Sequence, residues 1–358
     1  MLHLFLLKTR AHLIQNISKT RLLKNMKIIK PISKFLVISV AVYIGICLTL
    51  IYWPIPTKKN IENYDYSSLK ESTQQQNKGR EQNLTLRDGK ELFFRHYEAN
   101  SETTLILLHG SGSESKYLSK IATFLSSNGI MRVITPDLRG HGRNNGTRGD
   151  VDYIGQLDHD IEDLFNHVKT NYNGTNILLG GHSSGGGMAL RYVGNESVSQ
   201  PDALLLLAPY LGHDSPTVKP NSGEWVTVAL KRWIGLEMIN NLGITAFNDL
   251  PVLLFNRPEK WNDDLQVESY SYRMAVNFAP NDYLEDISKI SMPTLVLIGE
   301  NDESFYPEKF STVFDSVKQN VNVHIIDGEN HMSIVDTDNS QRHIRDWFNR
   351  NKSNNLKM

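Results

Sequence analysis

The chain has 358 residues, 22% of them charged and 40% hydrophobic, with 24 glycines and 13 prolines, which excludes globally disordered, collagen-like and coiled-coil chains. At roughly 100–200 residues per domain this length holds two or three domains, or one large α/β domain with added segments. The net charge of −1 hides an asymmetry: residues 1–34 carry eight Lys and Arg and no acid, so the remainder sets 30 basic against 39 acidic residues, a net −9 that disfavours a nucleic-acid partner. A single cysteine, Cys47, excludes an intramolecular disulfide framework and a cysteine-based metal cluster.

The first predicted element is a membrane anchor. Residues 35–53 read FLVISVAVYIGICLTLIYW, an uncharged run long enough to cross a ~30 Å hydrocarbon core as a helix, with Tyr52 and Trp53 suited to the interface. The twenty residues before it carry six Lys and Arg and no acid, whereas in the twenty after it Lys58, Lys59 and Lys70 are balanced by Glu62, Asp65 and Glu71. The positive-inside bias therefore expects a basic cytoplasmic N-terminus over 1–34 and a body on the extracytoplasmic side. A cleaved signal peptide is the rival reading, but no small-x-small site follows the run, and Trp53-Pro54-Ile55-Pro56 is a poor exit. Ile46 before Cys47 is not small, and the apolar run continues past the cysteine, which argues against a lipoprotein. Met26 opens a second, shorter basic start. Residues 54–82, with Ser-Ser, Gln-Gln-Gln and scattered charges, read as a tether.

Beyond the tether, Asn83–Leu86 and Glu91–His96 flank the turn dipeptide Asp88-Gly89 and predict a β-hairpin. Short apolar runs with βαβ spacing follow at Thr104–Leu108, Met131–Thr135, Asn176–Leu179, Ala203–Leu207, Thr294–Ile298 and Val321–Ile326; they read as buried parallel strands. Between them the clearest helical stripe is Ile154, Leu157, Ile161, Leu164, Phe165 and Val168. The expected fold class is α/β, a mostly parallel sheet with helices on both faces, over 83–210 and 286–350. Residues 211–285 are too long for a connection, and their apolar and aromatic content, including Trp225, Trp233, Phe247 and Trp261, predicts a helical cap or lid.

Gly181-His182-Ser183-Ser184-Gly185 fits G-x-S-x-G, in which glycines admit a serine onto a strained strand-to-helix turn. An apolar strand precedes it and a helical pattern from Met188 follows, the context the motif requires. Ser183 is thus the candidate nucleophile and needs a base, and an acid to orient that base. Asp302, just past Thr294–Ile298, is the candidate acid, chosen over Glu300 and Glu303; His331, just past Val321–Ile326, is the candidate base. The backbone amides of Ser184 and of Ser111, in His109-Gly110-Ser111-Gly112, are the candidate oxyanion donors. His109, Arg139 and His141 read as turn-building residues.

The motifs HGSG at 109–112, DLRGHG at 137–142, GHSSG at 181–185, GEND at 299–302 and GENH at 328–331 stand in the order and spacing of the α/β-hydrolase superfamily. Within it the sequence resembles the monoacylglycerol lipase, lysophospholipase and serine aminopeptidase group over roughly residues 84–350, the cap excepted. The resemblance implies the same triad, Ser183, Asp302 and His331, and the same oxyanion amides. Ser184 departs from the methionine common in that group. The expected activity is hydrolysis of a lipid-like carboxylic ester such as a monoacylglycerol or lysophospholipid, through an acyl-enzyme and with no metal or cofactor. Two rivals remain. An aminopeptidase would need a substrate-facing acid, for which the cap offers Glu224, Glu237, Asp249, Asp263 and Asp264; a silent membrane-tethered binding module would be expected to lack a triad member.

Overall fold

The computed structural model describes residues 32–59, 79–172, 175–257, 264–317 and 321–353. Its strands are β1 (Arg80–Thr85), β2 (Glu91–Tyr97), β3 (Thr103–Leu108), β4 (Arg132–Pro136), β5 (Asn176–His182), β6 (Ala203–Leu207), β7 (Val226–Val228), β8 (Pro251–Phe255), β9 (Ser269–Ser271), β10 (Thr294–Gly299) and β11 (Val321–Ile326). The helices are α1 (Ile32–Ile51), α2 (Ser119–Ser127), α3 (Gln156–Asn171), α4 (Ser184–Gly194), α5 (Leu230–Asn240), α6 (Tyr272–Phe278), α7 (Tyr283–Ser288), α8 (Pro307–Asp315) and α9 (Asp338–Ser353).

Eight strands form one sheet in the order β1-β2-β4-β3-β5-β6-β10-β11. The β1–β2 hairpin and the β2–β4 pair are antiparallel, and every other neighbour is parallel. All residues of β3 and β10 are buried, so both faces of the sheet are covered. Helix α2 packs with α9, whereas α4 packs with α6 and α7. The expected strands form close to their predicted bounds, with one instructive difference. Strand β5 runs on to His182, because Gly180 and Gly181 pair with Leu205 and Leu206 on one side and with Leu107 and Leu108 on the other. Tertiary pairing thereby carries two residues of poor strand propensity into the sheet. In α3, Leu157, Ile161, Leu164, Phe165 and Val168 are fully buried; Ile154 is exposed, because the helix starts only after Gly155.

The chain divides into two compact units, one comprising residues through Pro54 with Lys231–Thr245, the other Ile55–Leu230 and Ala246 onward. In the first, α1 is 20 residues long and apolar enough to cross a membrane. Its described part includes Ile32, Ser33 and Lys34 as well as the apolar run from Phe35, because a lysine ends an uncharged run without ending a helix. Tyr52 and Trp53 lie in the turn after it. Helix α5 packs antiparallel on its C-terminal half. The Tyr43 hydroxyl donates to the Met238 carbonyl at 3.0 Å, Arg232 Nε donates to the Ile51 carbonyl at 2.9 Å, and the Lys231 ammonium sits 3.5 Å from the Trp53 ring centroid. Gly235 permits the contact: a Cβ there would lie 2.8 Å from Leu50 Cβ and 2.9 Å from the Cys47 carbonyl oxygen. Cys47 and Ile51 are fully buried, while Phe35, Leu36 and Val37 are exposed.

The cap region is helical in α5 and α6, as expected, and adds an antiparallel sheet in the order β7-β8-β9. Two of these strands are three residues long, too short to carry a readable period. Part of the expected tether also departs from expectation, since Lys58 pairs with Glu268 at 2.8 Å, Lys59 with Glu224 at 3.0 Å, and the Lys59 amide donates to Asn256 Oδ1. The ion pairs are exposed and contribute little each. Residues 60–78 of the tether, and Trp261 and Asp263 of the cap, lie outside the described residues.

The α1–α5 contact is testable through the lone cysteine. Gly235→Leu overpacks it at a cost of about 1–3 kcal/mol, so Cys47 in the detergent-solubilised full chain should react several-fold faster with a maleimide than in the native protein; equal rates would show that α5 does not shield it.

Candidate active site

The site is built on the C-terminal ends of parallel strands. At the end of β5 the chain turns sharply into α4, and Ser183 occupies the turn with φ 55° and ψ −124°, a region that side-chain-bearing residues avoid. The glycines around it are required by crowding: a Cβ on Gly181 would overlap the backbone of Gly185, and one on Gly185 would lie 2.5 Å from the His109 carbonyl oxygen. The turn raises the Ser183 side chain above the sheet.

The residues beyond β10 and β11 converge on it. His331 Nε2 lies 3.0 Å from Ser183 Oγ, and His331 Nδ1 lies 2.8 Å from Asp302 Oδ2. The other carboxylate oxygen of Asp302 accepts from the amides of Ser304 and Phe305, each at 2.8 Å, which fixes the group in a site where Asp302 is 1% exposed. With Asp302 accepting at Nδ1, the imidazole presents Nε2 as an acceptor toward the serine. Burial pulls the His331 pKa down, but the Asp302 charge and hydrogen bond, with Glu303 adding to them, prevail and raise it above the ordinary value. The five residues expected from sequence are thus in one place: Ser183, Asp302 and His331 in hydrogen-bonded series, with Ser111 and Ser184 beside the serine. Among the described residues nothing accepts from the amide of Ser111 or of Ser184.

Supporting residues that the sequence reading did not identify surround this series. Glu303 Oε2 accepts from the His331 amide at 3.0 Å, and Lys219 Nζ donates to the Asp302 carbonyl at 2.6 Å. Glu303, in sequence a rival for the acid, holds the histidine loop with its side chain instead. His182, the variable residue of the elbow, donates from Nε2 to the His331 carbonyl at 2.9 Å, which leaves Nδ1 to accept from the Tyr117 hydroxyl at 2.9 Å. That hydroxyl accepts the Gly110 amide at 2.7 Å. Burial and the nearby His331 push the His182 pKa well below the usual imidazole value, as a neutral relay requires. His109 and Arg139 build turns: His109 Nε2 accepts the Leu138 amide, and Arg139 pairs with Asp160 at 2.7 Å and with Asp88 at 2.8 Å. The cleft over Ser183 is narrow, and Tyr117, His182, Trp225, His331 and Met332 supply its large side chains.

A family profile described as serine aminopeptidase, S33, matches residues 99–338, well over half of the chain. The chain belongs to this family. Among curated proteins, this S33-family hydrolase is 26% identical over 267 residues to a monoglyceride lipase homolog of Monkeypox virus, covering 69% of the present chain and 90% of the viral one. It is 25% identical over 235 residues to a non-heme chloroperoxidase of Burkholderia pyrrocinia, covering 62% and 82%. Among solved structures, an alpha/beta hydrolase from Penicillium sp. sh18 aligns with TM-score 0.57 at 20% identity, covering 76% of this chain and 98% of that one. A thermophilic esterase from Thermogutta terrifontis aligns with TM-score 0.51 at 20% identity, covering 76% and 99%. At this identity the structures speak to fold alone, and the fold is that of the α/β-hydrolase superfamily.

The His331 environment gives a titration with a defined sign. Its imidazole proton should be lost at a pH above the ordinary value of about 6.5, read by NMR of the ring nitrogens. In Asp302→Asn the charge that raises the pKa is gone and burial remains, so the titration should move below the ordinary value; an unchanged midpoint would show that Asp302 is not what holds the proton.

Proposed function

We propose that this hydrolase cleaves carboxylic esters by a serine mechanism. The observation that carries the reading is the unbroken series Asp302–His331–Ser183 next to two unpartnered amides. Ser183 Oγ attacks the ester carbonyl while His331 Nε2 takes its proton, and the imidazolium so formed is stabilised by the Asp302 carboxylate. The carbonyl oxygen becomes an oxyanion held by the amides of Ser111 and Ser184, donors that are already in place and cost no reorganisation. His331 returns the proton to the leaving alcohol, and a water activated by the same imidazole then hydrolyses the acyl-enzyme. Every proton transfer and charge in this sequence has a protein group to serve it, so the mechanism calls for no metal or cofactor.

The substrate we infer is a lipid-like ester, such as a monoacylglycerol or lysophospholipid. Trp225 and Met332 put apolar surface beside Ser183, the cap sequence is rich in apolar and aromatic residues, and the viral relative is named as a monoglyceride lipase homolog. The same reading places the protein in a membrane through residues 35–53, with the basic N-terminus cytoplasmic and the catalytic body extracytoplasmic. The packing of α5 on α1 favours a retained anchor over a cleaved signal peptide, since removal of α1 would uncover Gly235, which lies against Cys47, Leu50 and Ile51. The aminopeptidase alternative needs a carboxylate facing the substrate amine. Among the described cap acids, Glu224, Glu237, Asp249 and Asp264 are exposed and none lines the cleft, which favours the ester reading.

The test uses the full chain in detergent. A fluorophosphonate should label the wild type and not Ser183→Ala, and the substitution should lower ester turnover by roughly 10⁶-fold while the protein remains folded. Rates on p-nitrophenyl esters should rise from acetate to medium or long acyl chains. A folded wild type that neither labels nor turns over any ester would overturn the proposal, and a preference for aminoacyl amides would replace the ester reading with the peptidase one.

A further inference from the structure

Gly110, Ser111 and Gly112 follow the end of β3, and the two amides that flank Ser111 are both consumed by tyrosine hydroxyls. Gly110 donates to Tyr117, as described above. Gly112 donates at 2.8 Å to the hydroxyl of Tyr270, which lies 158 residues away on the cap strand β9. The Tyr270 hydroxyl in turn lies 2.5 Å from His141 Nε2, and His141 Nδ1 lies 2.9 Å from the Arg139 carbonyl. The carbonyl can only accept, so Nδ1 carries the ring proton and Nε2 accepts from Tyr270; the phenol oxygen is then free to accept the Gly112 amide. Burial lowers the His141 pKa and raises that of Tyr270, which keeps both groups in these neutral forms.

Tyr270 is itself held firmly. It is 1% exposed, stacked on Phe278 at 5.1 Å and edge-on to Phe255 at 4.7 Å. Its strand is tied to the turn after β4 by the Ser271 amide donating to the Gly149 carbonyl and by the Ser271 hydroxyl donating to Asp150 at 2.6 Å. Other cap residues hold Gly112 from its carbonyl side: Val267 N–H at 3.0 Å and Arg257 Nη2 at 2.6 Å. Gly112 has φ +69°, and a Cβ there would lie 3.0 Å from Phe255 and from Arg257, so only glycine allows the cap to close this tightly on the loop. The intervening Ser111 amide has no acceptor among the described residues and stands between two fixed neighbours.

We propose that Tyr270, backed by His141, is a positioning residue for the oxyanion hole, and that the hole is complete only while the cap is seated on the 110–112 loop. This rests on the serine-hydrolase reading and deepens it: a cap residue that touches no reacting atom sets the aim of the Ser111 amide. The role assigned to His141 changes accordingly, from turn builder to acceptor for the phenol proton.

The experiment compares variants of the full chain in detergent, with active sites counted by fluorophosphonate titration so that rates are per folded site. Tyr270→Phe keeps the ring and removes the hydroxyl. It should lower per-site kcat roughly 10-fold to 100-fold, the cost of misaiming a donor by a fraction of an ångström to an ångström, while KM stays within about two-fold. Affinity for a trifluoromethyl ketone, whose adduct carries the oxyanion, should weaken by the same factor. His141→Leu should reproduce the loss, and His141→Gln, whose carbonyl oxygen can take the phenol proton, should recover most of it; this pair decides the matter if Tyr270→Phe does not fold. Unchanged per-site kcat in Tyr270→Phe, a loss confined to KM, or identical behaviour of His141→Leu and His141→Gln would each overturn the proposal. Failure of the wild type to label would sink the serine-hydrolase reading itself, a distinct result.

Discussion

The backbone conformation of Ser183 is the constraint on which the rest of the site depends. A non-glycine residue at φ 55° and ψ −124° costs of order 1–3 kcal/mol, and it persists only where neighbours over-determine it. Here they do: the Ser183 amide donates to the Leu207 carbonyl at 2.9 Å, and the Ser183 carbonyl accepts from Gly187 at 3.1 Å and Tyr210 at 2.9 Å. These bonds tie the turn to β6 and α4 and leave the Ser184 amide at the helix start without a partner. The strain, the reach of the hydroxyl and the open N–H are consequences of one turn.

Electrostatics then separate one histidine from its neighbours. His109, His141, His182 and His331 all lie buried around the cleft. Burial lowers the pKa of the first three, which face carbonyls, amides and hydroxyls. His109 feels the Asp137 charge as well, but burial prevails there; His331 is hydrogen-bonded to a carboxylate, and it is the one raised. Three neutral rings serve as fixed donors and acceptors, and the fourth is equipped to gain and lose a proton. Asp302 can hold this role without being drawn elsewhere because its second oxygen is already occupied by two amides.

The legibility of these features follows from how local they are. Ser183, Asp302, His331, Ser111 and Ser184 each stand directly after a strand in a short glycine-marked turn, so the sequence around each one carries its own signal. Tyr117 and Tyr270 carry none, since their work is defined by partners 65 and 158 residues away. The cap sheet was hidden for a related reason: its strands are short, and their pairing is made by chain segments with no shared period. Composition revealed the apolar length of α1 but not its partner. The face that buries Cys47 and Ile51 is no more apolar than the face that stays exposed, and Gly235, which makes the contact possible, looks like a helix-weakening residue when read alone.

The α1–α5 contact also dictates an order of events during biosynthesis. Tyr43 and its acceptor Met238 are 195 residues apart, so at about 5–20 residues per second the first helix is made roughly 10 to 40 s before its partner exists. Through that interval α1 stands alone, with the Cys47 face open to whatever surrounds it. The membrane-length helix is thus the first described element to be synthesised, and its native environment is finished by a segment from the middle of the chain.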